Sequence, residues 1–178
     1  MPAGLSFNDL MDYTDWERRK WHERLRQRGD EVLKISAGPN GDGRFSTVGH
    51  VIKHIFSAEK RYIDRLSNRP LTDPAGVPAN SIEVLFEFGR QSRNDLKHFI
   101  ESLPAQQWDA FTEFDFLGGV LRATPRKIIS HVLLHETRHW AQIATLFRLN
   151  GLTGEFHDFI FSPVLDGEFV RSQTKVGE

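Results

Sequence analysis

Residues 125–151 read PRKIISHVLLHETRHWAQIATLFRLNG, and this stretch decides the fold. It predicts one long helix from Pro125 to Gly151. Thr124 stands before it as a cap, Pro125 suits the first turn, where its missing N–H costs nothing, and Gly151 suits a left-handed residue past the end. Ile128, Val132 and Leu146 keep an apolar seam at helical spacing, yet His135 and His139 stand in the middle of that seam. Imidazoles four residues apart differ by about 40° around a helix axis, so both can reach one ion. Burying two such rings without partners is costly, and a metal that takes the lone pair of each neutral ring is one resolution.

Working outward from this helix, the period changes between Trp108 and Ala123. Phe111, Glu113 and Asp115 alternate with Thr112, Phe114 and Phe116, and Gly118-Gly119 follows, which predicts a short hairpin. A helix opened by Asn80 or Ser81 is expected to run to about Leu103, where Pro104 stops it. Its seam is Ile82, Leu85, Gly89, Ser92, Leu96 and Phe99, bulky at the ends and small in the middle. Gly89 costs about 1 kcal/mol against alanine inside a helix, so a packing reason or room for a substrate is expected there. The proline-rich stretch 67–80 is a connecting loop. Before it, Ser46 is expected to cap a helix over Thr47 to Leu66 with Val51, Ile55, Ala58 and Tyr62 inward and His54 at the edge of that stripe. Residues 36–45 form a loop, and residues 6–28 form the first helix, with Ser6 and Asp9 as a capping signal. Arg18, Arg19, Arg24 and Arg28 are expected on its solvated face, and the adhesion-like tripeptide Arg28-Gly29-Asp30 carries little weight.

These elements predict an all-α chain, an antiparallel four-helix bundle with a short hairpin inserted before the last long helix. One domain over residues 1–178 is expected, its last dozen residues mobile, with Phe156, Phe159, Ile160 and Phe161 packing back on the body. A formal net charge of −1 argues against a nucleic-acid binder held by bulk charge. No apolar run approaches a membrane span and no secretory segment is visible, so a cytoplasmic protein is expected. Cysteine is absent. Any metal must therefore be held by His, Asp or Glu, and any thiol must come from a substrate.

Five of the eight histidines fall on two helices: His50 and His54 on the second, His131, His135 and His139 on the fourth. A second helix crossing the fourth can bring His54 to the ion. Three histidines leave one or more positions for water or substrate, the arrangement of a catalytic site. Zinc is the default ion, with nickel, iron and manganese open because imidazole suits several metals. His50 and His131, one turn before these residues, are read as helix-face or supporting groups. The string His135-Glu136-Thr137-Arg138-His139 is also a literal HExxH, in which Glu136 would be the base that activates metal-bound water. A zinc protease is the weaker reading: Gln142 and Thr145 stand where an extended protease motif needs Gly and His. Glu136 lies about 60° from His139 on the helix wheel, a candidate catalytic base that could equally face solvent and pair with Arg138 or Lys127.

The stretch STVGHVIKHIFSAE (46–59), with His135, His139 and Gln142 far downstream, resembles the DinB/YfiT-like superfamily of metal-dependent enzymes. Tyr13 and Trp16 on the first helix and Thr124-Pro125 before the fourth resemble it too. The resemblance covers roughly residues 8–150. It implies a four-helix bundle, often dimeric, with metal ligands at His54, His135 and His139. It also implies a small-molecule substrate, with a low-molecular-weight thiol as cosubstrate in some members. The expected activity is a thiol S-transferase or a hydrolase. A non-catalytic, metal-stabilised interaction module is the alternative.

Overall fold

The structure, a computed structural model, describes residues 4–38, 45–153 and 157–166. Four helices carry it: α1 (Phe7–Arg28), α2 (Val48–Leu66), α3 (Ile82–Ser102) and α4 (Pro125–Leu149). A two-stranded sheet, β1 (Thr112–Phe116) and β2 (Gly119–Ala123), stands between α3 and α4. The chain is thus mostly helical, and the sheet departs from a purely all-α description.

The helix ends follow from local chemistry. Ser6 and Asp9 form a reciprocal capping box on α1, with Asp9 N–H donating to Ser6 Oγ at 3.1 Å and Ser6 N–H to Asp9 Oδ2 at 2.7 Å. Thr124 Oγ1 accepts from Lys127 N–H at 3.2 Å, and Gly151 takes the left-handed conformation past α4 at φ 70°. The cap of α2 is Thr47 and not Ser46, because Ser46 lies in a short bridged stretch where its carbonyl accepts from Ala37 N–H. Ser81 opens α3 without a side-chain cap. Asp30 supplies one from across the chain, its Oδ1 accepting from Ile82 N–H at 2.9 Å. The adhesion-like tripeptide therefore has a structural use.

The hairpin pairs Thr112 with Ala123 through to Phe116 with Gly119, antiparallel. Its two-residue turn is Leu117-Gly118, both with positive φ (51° and 79°), the conformation that matches strand twist in a tight hairpin. Gly119 already belongs to β2.

Contacts between the helices fix their directions. Phe56 meets Gly89 and Ser92, Glu59 meets Arg93, and Lys60 meets Asp95, so α2 and α3 run parallel. Trp21 stacks on Trp140 and Arg18 reaches Glu136, so α1 and α4 are also parallel. Tyr62 meets His131 while His54 meets His139, which makes α2 and α4 antiparallel. The order is up, down, down, up, and not the uniformly alternating one expected. Residues 67–81 carry the chain back between the two parallel helices, pinned where Thr72 N–H and Oγ1 both donate to the buried Asp64 carboxylate at 2.9 and 2.7 Å.

Two apolar clusters fill the interior. Trp21, Leu25, Val51, Ile55, Phe56, Leu85, Trp140 and Phe147 belong to one, Met11, Ile63, Leu96, Ile129, Val132 and Leu133 to the other. On every helix the residues between the two are polar and buried: Arg18 on α1, Glu59 on α2, Arg93 on α3 and Glu136 on α4. Arg18 is thus interior and not on the solvated face, and Arg24 lies over the Trp21 and Phe147 rings. At Gly89 the place of a side chain is taken by the buried Phe56 ring, three atoms of which would lie 2.8 Å from a Cβ there. After α4, Phe159 packs on Tyr13 with ring centroids 5.0 Å apart, whereas Ile160 is exposed. Phe156 and the last dozen residues lie outside the described residues. Among the described residues no helix is long and apolar enough to cross a membrane.

Candidate metal centre

The crossing of α2 over α4 brings together His54, His135 and His139. His54 Nε2 lies 3.0 Å from His135 Nε2, and His135 Nε2 lies 3.2 Å from His139 Nε2. Three imidazoles bound to one ion at about 2.0–2.1 Å place their nitrogens roughly 3.0–3.4 Å apart, so these two spacings match coordination, and the three ligand atoms all lie within 4.8 Å of one another. Donor chemistry agrees. Gln142 Oε1 stands 2.9 Å from His139 Nδ1, and since an amide oxygen only accepts, Nδ1 carries the proton and Nε2 keeps its lone pair toward the cluster. Burial, then the neighbouring His139 and His54, push His135 down to about 3, so its ring is neutral at any ordinary pH. These residues fit a divalent ion.

The neighbours shape the site. Phe45 lies against the His54 and His139 rings at 4.4 and 5.8 Å, and Arg138 Nη2 approaches His139 Nε2 at 3.3 Å. His131 contacts the Tyr62 and His135 rings and belongs to the wall of a cleft of about 490 Å³ that opens in front of the three histidines. His50 turns away, its Nδ1 beside Ser46 Oγ and Thr47 Oγ1 at the start of α2.

Glu136 is not in this group, nor does it face solvent. Its carboxylate is buried and accepts four hydrogen bonds: from Arg18 Nε and Nη2 at 2.5 and 2.8 Å, Arg93 Nη2 at 2.7 Å and Trp140 Nε1 at 3.0 Å. A carboxylate has about four acceptor positions, and all are filled. Glu59 shares both arginines, and Arg93 continues to Thr14 and Asp15. Sequence reading missed this cluster. The signal available was one charged residue interrupting each apolar seam. A second groove of about 240 Å³, between α1 and α3, shares no lining residue with the histidine cleft, and its two buried arginines are those already bound to Glu59 and Glu136.

Fold and site together define a class: a mostly helical protein that gathers three histidines from two helices at the mouth of a cleft. The DinB family profile matches residues 1–167, and the chain belongs to the DinB family. A crystal structure of a DinB-like protein from Bacillus cereus is similar to it with a TM-score of 0.59 and 18% identity, over 83% of this chain and 95% of that one. At that identity the likeness concerns the fold. No curated protein matches the chain.

Proposed function

We propose that this is a metal-dependent enzyme built on a four-helix bundle, with His54, His135 and His139 as ligands of one divalent ion, zinc by default. The observation that carries this reading is the convergence of three histidines beside an open cleft, with His135 Nε2 at coordination spacing from the Nε2 atoms of both His54 and His139. Bound there, the ion would supply Lewis acidity and hold a water or a thiol in its deprotonated form. The chain's own residues do the rest. Gln142 fixes the His139 tautomer, Phe45 covers one side of the imidazoles, and the cleft admits a small molecule from the other. With no cysteine in the chain, a thiol S-transfer would use a thiol from solution, and hydrolysis would use water.

Two observations weigh between this and the other readings. The four acceptor positions of Glu136 are filled, which removes the base that a zinc protease needs. The core clusters and the charge cluster already tie all four helices together, so a structural metal has little left to hold. A catalytic ion should therefore leave with small loss of stability.

Protein purified without chelator and offered zinc, nickel, iron and manganese should bind one ion per chain. It should then either consume a low-molecular-weight thiol with an electrophile or hydrolyse an ester, and chelation should abolish that activity. No stoichiometric ion would end the proposal. A melting temperature that collapses on chelation would favour the structural alternative instead.

A further inference from the structure

The cleft in front of the histidines has a charge pattern unlike the rest of the molecule. On α2, Arg61 and Arg65 follow His54 by seven and eleven residues, each within about 20° of it around the helix. On α4, Arg138 follows His135 by three. All three arginines line the cleft, and no Asp or Glu does.

Acid is not scarce in this chain, which has 24 Asp and Glu against 23 Lys and Arg. Seven arginines elsewhere, Arg18, Arg26, Arg69, Arg90, Arg93, Arg122 and Arg126, each pair with a carboxylate. Among the described residues, no carboxylate pairs with Arg61, Arg65 or Arg138. Asp64, the acid nearest in sequence, is buried and taken by Lys60, Arg69 and Thr72.

The guanidinium of Arg65 is held in place by rings. It lies over Phe114 at 5.3 Å, Phe116 at 5.6 Å and Tyr62 at 5.9 Å. Burial and then the like charge of Arg61 pull Arg65 below its ordinary value, partly offset by Tyr62 and Asp64. Arg65 Nη1 donates to the Arg61 carbonyl at 3.4 Å, and stacking fixes the plane of the fork and leaves its Nε and Nη2 donors to bind a planar or tetrahedral anion. Phe116 and the exposed Leu117 at the hairpin tip add an apolar lip.

We infer that Arg61, Arg65 and Arg138 form the recognition subsite for a small organic anion, with a carboxylate or phosphate head on the arginines and a flat apolar body against Tyr62, Phe116 and Leu117. The volume of about 490 Å³ is that of a small-molecule site. The inference deepens the metalloenzyme reading by naming the substrate class. The head binds through the arginines, and the reactive end of the body points to the three imidazoles.

The test is isothermal titration of the full chain, stripped with EDTA, with naphthoate, naphthyl phosphate and the neutral naphthamide. At least one anion should bind about tenfold or more tighter than the amide, the worth of a charge-assisted hydrogen bond. Arg61→Gln and Arg65→Gln, both solvent-accessible positions, should lose that advantage and leave amide binding unchanged. Equal binding of anions and amide, or full anion affinity in both variants, would overturn the inference. Zinc titration of the same samples keeps the two readings apart. His135→Ala should lose zinc and retain anion binding in the stripped protein, and Arg65→Gln should do the reverse. If zinc fails to bind the wild type while anion selectivity persists, the metal reading falls and the arginine subsite stands.

Discussion

Replacing Glu136 with glutamine separates the two meanings of the HExxH string. In the fold, Glu136 balances Arg18 and Arg93 together with Glu59, and its four acceptor positions are filled by two arginines and the Trp140 indole. The amide keeps the size but removes the charge, and its NH2 meets a guanidinium donor at one of the former oxygens. Breaking one partner out of a buried ion pair costs about 3–5 kcal/mol. For a chain of this length that is roughly 6–20 °C in Tm. The loss should be read by urea denaturation and thermal melting, with zinc competition titrations run well below the melting range. The structure predicts a large loss of stability and an unchanged zinc affinity, since the carboxylate is not among the groups converging with the Nε2 atoms. A variant as stable as the wild type but without activity would refute the reasoning. It would make Glu136 the reacting base and the charge cluster dispensable.

Two further predictions concern buried groups on α1 and α3. Burial, and then the Glu136 carboxylate, push Glu17 up to about 9, from 4.5 in the unfolded chain. The folded state therefore holds a proton that the unfolded state has released, and stability should fall as pH rises toward 9. From this group the slope should reach at most about 1.4 kcal/mol per pH unit. The Glu17→Gln profile of urea midpoints should be flatter, and parallel profiles would contradict the assignment. Gly89→Ala gains about 1 kcal/mol of helix propensity. Its Cβ, however, must displace the fully buried Phe56 ring, which is held by Phe86 and Trp140. Overpacking of that kind costs about 1–3 kcal/mol, so a lowered melting temperature is expected, and a raised one would show that the ring moves freely.

Much of this architecture is written locally. Ser6 with Asp9, Thr124 with Pro125, and Pro104 after α3 mark helix ends through bonds made within one turn, so the sequence exposes them. His135 and His139 were legible because their spacing is fixed by one helix, and His54 because it borders a buried stripe. What the sequence hid is tertiary. Arg18 sits on a helix rich in arginine, and only the approach of Glu59 and Glu136 from two other helices makes it an interior residue. The HExxH string points Glu136 toward a metal only if its side chain shares the face of the histidines. The arginines behind it decide otherwise. Helix direction was equally hidden, because α2 and α3 carry the same kind of seam whichever way they run, and only contacts such as Glu59 with Arg93 and Lys60 with Asp95 order them.

X-ray absorption at the zinc edge tests the centre most directly, on the zinc-loaded full chain and on His54→Ala, His135→Ala and His139→Ala. The wild type should show one zinc per chain with three imidazole nitrogens at about 2.0–2.1 Å and at least one further light ligand. Each variant should lose one imidazole from the shell or fail to bind. A wild-type spectrum with fewer than three imidazoles, or a shell unchanged by removing any of the three histidines, would contradict the account.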